Sequence, residues 1–84
     1  MLVEVLKENY LIVLSENKKD DQWLDRVGYQ KLGDGYFQEI FDNIDELVEE
    51  VNYLIDYGAE FDQTSDENSP YEILESLKEE GFID

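Results

Sequence analysis

The chain contains neither cysteine nor histidine, and a single proline in 84 residues. Without cysteine it has no disulfide, no thiolate nucleophile and no zinc–thiolate site, a composition suited to a reducing compartment. Without histidine it also lacks the commonest acid–base side chain, so most catalytic constellations are unavailable. Cations are scarce as well: 6 Lys and Arg stand against 23 Asp and Glu, a formal charge of −17. Phosphates repel such a surface, so neither direct nucleic-acid binding nor binding to an anionic membrane is expected. No apolar run approaches the roughly 18 residues of a membrane span, and no charged-then-apolar signal segment opens the sequence. A cytoplasmic location is therefore expected. What the chain does have is 42% hydrophobic and 13% aromatic residues, more than acidic disordered chains carry. One folded domain over residues 1–84 is the expectation, small enough to bury only about 60% of its unfolded surface.

The charge is unevenly spread. Residues 1–38 hold seven acids and five bases, whereas residues 39–84 hold sixteen acids and one base, Lys78. A halophilic or merely solubilising surface would acidify both halves. The concentration in the second half carries a cost in self-repulsion that solubility alone does not require.

The apolar run Tyr10 to Leu14 reads as a central strand. Ahead of it, Leu2, Val3, Val5 and Leu6 fit either a short helix or an extra strand. Ser15 to Gln22 reads as a polar loop, Trp23 to Leu32 as a second strand, Gly33-Asp34-Gly35 as a hairpin turn, and Tyr36 to Phe41 as a third strand. Ile44, Leu47, Val48, Val51, Leu54 and Ile55 recur with helical period. Asn43 caps that helix, with Glu46 in capping-box position, and Gly58 ends it. Glu60 to Asn68 reads as an acidic linker. A second helix opens at Ser69-Pro70 and closes at Gly81, with Phe82 folding back on Leu77. The expected fold is α+β: a three-stranded antiparallel sheet followed by two helices packed on one face (βββαα).

The first helix directs Asp45, Glu46, Glu49, Glu50, Tyr53 and Asp56 away from the core. Like-charged neighbours at i, i+4 cost a few tenths of a kcal/mol each. Together with the linker they approach the charge density of a polyanion over a couple of nanometres. Glu49, Tyr53, Asp56, Tyr57 and Glu60 are accordingly candidate partner-binding residues, the tyrosines offering rings on which arginine can stack.

Chemistry of other kinds finds little support. Ser15-Glu16-Asn17-Lys18 matches S-x-x-K without the partner motifs of those enzymes. The Asp62-x-Thr64-x-Asp66 spacing fails as a calcium loop, with Glu67 where glycine must turn and Ile73 where glutamate must chelate. No enzyme activity, no metal site and no cofactor is expected, beyond weak, nonspecific divalent binding to the linker.

In element order and charge the chain resembles small phage-encoded anti-CRISPR proteins, the type II-A inhibitors of Cas9. The matching segments are Asn9 to Ser15 as first strand, Gly33-Asp34-Gly35 as hairpin, and Asp62 to Glu67 as the acidic link between helices. The resemblance implies a DNA mimic that fills the PAM-reading site of Cas9, where arginines otherwise meet guanines. It points to Asp34, Glu39, Asp62, Asp66 and Glu67 as partner-binding residues, in a bacterial host cell. The expected partner is thus a basic nucleic-acid-binding protein, a nuclease such as Cas9, bound by a monomer or a homodimer. Two alternatives stay open: an antitoxin or immunity protein against a basic nuclease toxin, and a general acidic interaction domain.

One consequence follows from the charge alone. Raising salt from about 0.05 to 0.5 M screens self-repulsion, so the melting temperature of the free protein, followed by circular dichroism, is expected to rise across that range.

Overall fold

The computed structural model describes residues 1–64 and 69–83. The apolar run forms a strand, Tyr10–Leu14 (β2), and Leu2–Leu6 (β1) pairs with it antiparallel, so the first residues take the extra-strand alternative.

The first departure follows at once. Lys18–Val27 is a helix (α1), where the sequence reads as a loop and the start of a strand. Asn17 is the cause: its Oδ1 accepts from the Asp20 amide at 2.9 Å, satisfying a donor that the first turn would otherwise leave bare. Asp20, Trp23, Leu24 and Val27 do have helical spacing, but one is an acid and Val27 remains exposed, which disguises the stripe. Gly28 ends the helix at φ 95°, a left-handed position that glycine takes without strain. The expected strand from Trp23 to Leu32 therefore shrinks to Gln30–Gly33 (β3).

The hairpin is as expected. Gly33, Asp34 and Gly35 all have positive φ and lead into Tyr36–Ile40 (β4). Ile44–Tyr57 (α2) has its predicted caps: Asn43 Oδ1 accepts from the Glu46 amide at 3.0 Å, while the Glu46 carboxylate reaches back to the Asp42 amide. The stretch read as a linker begins with a short strand, Glu60–Phe61 (β5), parallel to β1. Pro70–Glu79 (α3) is capped by Ser69 as expected. At its far end the Phe82 amide donates to the Leu77 carbonyl at 3.0 Å and Phe82 lines a cleft with Leu77 while staying 45% exposed; Ile83 is the buried side chain there.

The protein is thus α+β, but with a five-stranded mixed sheet in the order β3-β4-β2-β1-β5 and three helices, in place of three antiparallel strands and two helices. Among the described residues no helix is long and apolar enough to cross a membrane.

Register sorts the sheet into two faces. Val3, Val13 and Phe37 form one row, with Leu6, Leu11 and Glu39 in a second. These apolar side chains, with Phe61, meet Leu24 of α1, Leu47, Val51 and Leu54 of α2, and Leu74 and Leu77 of α3 in one core. On the other face Leu2, Leu14 and Tyr36 align, then Val5, Ile12 and Gln38, then Tyr10 and Ile40. Glu4, at a bulge in β1, sits beside the Tyr36 hydroxyl.

Asp20 is the charged residue inside, only 2% exposed. It accepts from the Tyr57 hydroxyl at 2.5 Å and the Glu16 amide at 2.9 Å, and the Met1 ammonium stands 2.9 Å away. Burial alone would raise its pKa, but these three donors outweigh burial and hold the carboxyl below its ordinary value. The same contact ties α2 to α1, where Trp23 packs on the Tyr57 ring with centroids 4.8 Å apart. Tyr57→Phe is therefore expected to destabilise the fold by about 1–2 kcal/mol at pH 7. A depressed carboxyl contributes stability above its unfolded pKa and loses it as pH falls, so the gap to wild type in urea titrations should close below about pH 4.

Candidate functional site

The buried stripe of α2 decides where its acids go. With Leu47, Val51 and Leu54 against the sheet, Asp45, Glu46, Glu49 and Asp56 are exposed and Glu50 is half-buried. Five carboxylates along a helix about 21 Å long give one per about 4 Å, close to the 3.4 Å per phosphate of one DNA strand. Tyr53 stands among them, 54% exposed, its hydroxyl donating to Glu49 at 3.3 Å.

A second acidic helix lies beside the first. Ile44 and Leu47 of α2 and Ile73, Ser76 and Leu77 of α3 line one shared cleft, with Glu8 and Glu80 at its rim. On the outer side of α3, Glu72, Glu75 and Glu79 recur at i, i+3 and i+7 and line a shallow groove with Tyr71, Gln63 and Thr64. The spacing of those three glutamates was visible in the sequence. Their lining of one groove with residues of the preceding segment was not, because it depends on how α3 docks.

Asp62 holds the base of that segment. Its carboxylate accepts from the Thr64 amide at 3.1 Å, and its carbonyl accepts from the Ser69 hydroxyl at 2.9 Å and the Tyr71 amide at 3.0 Å. Glu60 is exposed on β5. Asp66 and Glu67, candidates on the strength of the resemblance, lie outside the described residues.

Three candidates stand apart from this surface. Asp34 tips the β3–β4 hairpin, so it lies at the opposite edge of the sheet from Glu60, about 19 Å away at the usual strand spacing. Tyr57 is half-buried between Trp23 and Asp20, with Lys19 Nζ 5.4 Å above its ring. Burial and the Asp20 carboxylate push its hydroxyl pKa up to about 12.

Glu39 is the third. It points to the helical side of the sheet, beneath α2, where burial first and then Glu50 and Glu46 raise its pKa above the ordinary carboxylate value. Tyr29, buried alongside, donates to Glu50 Oε2 at 2.6 Å, and burial together with that carboxylate pushes its hydroxyl far above its ordinary value. Glu46 and Glu50 thus join Glu39 in a group for which sequence spacing gave no signal, since strand and helix meet only in the fold.

Ion pairing within the molecule is sparse. Among the described residues, the Met1 ammonium pairs with Glu16 and Asp20, and Lys78 approaches Glu75 at 3.9 Å. No other lysine or arginine comes within 4.0 Å of a carboxylate among them. The same residues show no group of three or more carboxylates arranged to hold a metal ion. In comparisons with known proteins, no family model, no curated protein and no solved structure matches the chain.

The Glu39 group yields a test of the local field. A carboxyl whose folded pKa is raised favours the fold at low pH and loses that contribution as pH rises through the raised value. Glu39→Gln is therefore expected to raise the melting temperature at pH 7 by about 2–5 °C, with the gain absent at pH 4, as read by calorimetry at the two pH values.

Proposed function

We propose that this protein is an acidic mimic of a nucleic-acid backbone, blocking the cationic groove of a nuclease from a place in the cytoplasm of a bacterial host cell. The observation that carries the reading is the near-absence of internal partners for the acids of α2 and α3. Among the described residues Glu75 alone of these has a cationic side chain within 4.0 Å. Carboxylates held at a mean axial density near that of one DNA strand, with few internal cations, remain available to the arginines and lysines of a partner. Both helices pack into the core on one sheet face, so holding their relative placement adds little backbone ordering cost on approach.

The mechanism is competitive. Long-range attraction steers the acidic layer toward a positive groove and speeds association. Carboxylates then replace phosphates on the same guanidinium and ammonium groups. Tyr53 and Tyr71, both exposed, supply rings over which arginine can lie.

The first target to examine is a Cas9-type effector at its PAM-reading arginines. The observed order of elements is ββαββαβα, so this choice rests on charge and not on element order. Binding beside an active site, as an immunity protein would bind, differs in one measurable respect: duplex DNA would not displace it.

With guide-loaded Cas9 as partner, PAM-containing duplex is expected to displace the wild-type protein, and raising salt to about 0.5 M to weaken the complex strongly. The triple variant Glu49→Lys, Asp56→Lys, Glu79→Lys should bind about 100-fold more weakly in calorimetry while keeping its far-ultraviolet circular dichroism. Undiminished binding by that variant would remove the helical acids from the mechanism.

A further inference from the structure

The sheet face turned away from the helices is unlike the rest of the surface. In a chain with 35% charged residues, its rows carry Leu2, Val5, Ile12, Leu14, Tyr36 and Ile40 beside the neutral Gln38 and Gln30, and among the described strand residues carboxylates enter at Glu4 in the bulge and Glu60 on the short edge strand. Ile40 is 63% exposed. A contiguous apolar patch of this kind is seldom left bare.

We infer that this face packs on the same face of a second copy, forming a twofold sheet-on-sheet homodimer with the two acidic helical layers outermost. Charge placement favours this occupant. Paired sheets sit about 10 Å apart and each helical layer adds roughly 10 Å, so the helix layers of the two copies stand about 30 Å from each other. That is some three Debye lengths at ordinary salt, and the net charge of −17 opposes the arrangement only weakly. Association through the helices would instead bring like charges within one Debye length. A cationic partner finds its attraction on the helical side, not on this face.

The sheet edges offer no competing route. β5 has two residues, and β3 has four with a bulge and an exposed Lys31; short, irregular, charged edges discourage strand addition. Three strands of five residues, one of four and one of two, at about 3.4 Å per residue and about 4.8 Å spacing, give a face of about 340 Å² per copy. Standard interfaces bury about 800 Å² per partner, so this dimer is weak and reversible. It would carry two acidic surfaces back to back. Dimerisation does not depend on what those surfaces bind.

Sedimentation equilibrium of the full chain from about 5 to about 500 µM tests the proposal. The expected mass climbs from the 9.9 kDa of one chain toward twice that value, and 0.5 M salt strengthens the association. Ile12→Glu and Ile40→Glu should each remain single chains at every concentration with unchanged far-ultraviolet circular dichroism. Ile40→Glu, at an exposed position, decides the matter if Ile12→Glu fails to fold. Ile55→Glu, on the helical side, should dimerise as wild type does. A single-chain mass throughout for the wild type, or unimpaired dimerisation of Ile40→Glu, would overturn the proposal.

Discussion

Three residues of one helix, Leu47, Val51 and Leu54, are fully buried against the sheet, and the rest of the surface depends on them. A helix can bury only one stripe. Once these three face inward, Asp45, Glu46, Glu49 and Asp56 have nowhere to go but outward. The hydrophobic effect acting on a handful of side chains thus holds a row of like charges at close spacing, against their mutual repulsion. The charge pattern is inseparable from the core that anchors it.

Two carboxylates that leave the solvent show how differently the interior can treat an acid. Asp20 is met by a hydroxyl, an amide and an ammonium, and three donors more than offset the loss of water. Glu39 is met by Glu46 and Glu50, and its burial is compounded by repulsion. The first stabilises the junction of α1 with α2. The second keeps a small reserve of unfavourable energy under α2, which an approaching cation would relieve. That reserve comes from the crossing of β4 beneath α2 rather than from any local motif.

Layering separates the molecule into unlike sides. Helices and their acids lie on one face of the sheet, while the other is mainly aliphatic and tyrosine, with two glutamines and the carboxylates of Glu4 and Glu60. Each side suits a different kind of association: charge-driven and salt-sensitive on the helical side, apolar and salt-tolerant on the open face. Since the layers are separated by the thickness of the sheet, an association on one side would not obstruct one on the other.

Much of this was legible in the sequence, and the reason is locality. The caps at Asn43 and Ser69, the Leu47–Val51–Leu54 centre of the α2 stripe (its expected ends Ile44 and Ile55 are exposed), the hairpin at Gly33-Asp34-Gly35 and the crowding of acids after residue 38 all depend on residues within about one or two helical turns of one another. The failures were of two kinds. At α1 a helical stripe was hidden because its first inward position is an aspartate, whose burial makes sense only with distant donors, the Met1 ammonium and the Tyr57 hydroxyl 37 residues away. At β5 two residues of an apparent linker became a strand because β1 offered them an edge. The sequence by itself determined the local elements, the sign of the charge and the helix faces that carry it, because helix geometry is set by near neighbours. Only the tertiary structure decided that Asp34 and Glu60 lie on opposite edges, that Glu39 sits beneath α2, and that among the described residues no helix covers the second sheet face. Strand order and register are chosen by packing between distant segments, and no short window of sequence contains both partners.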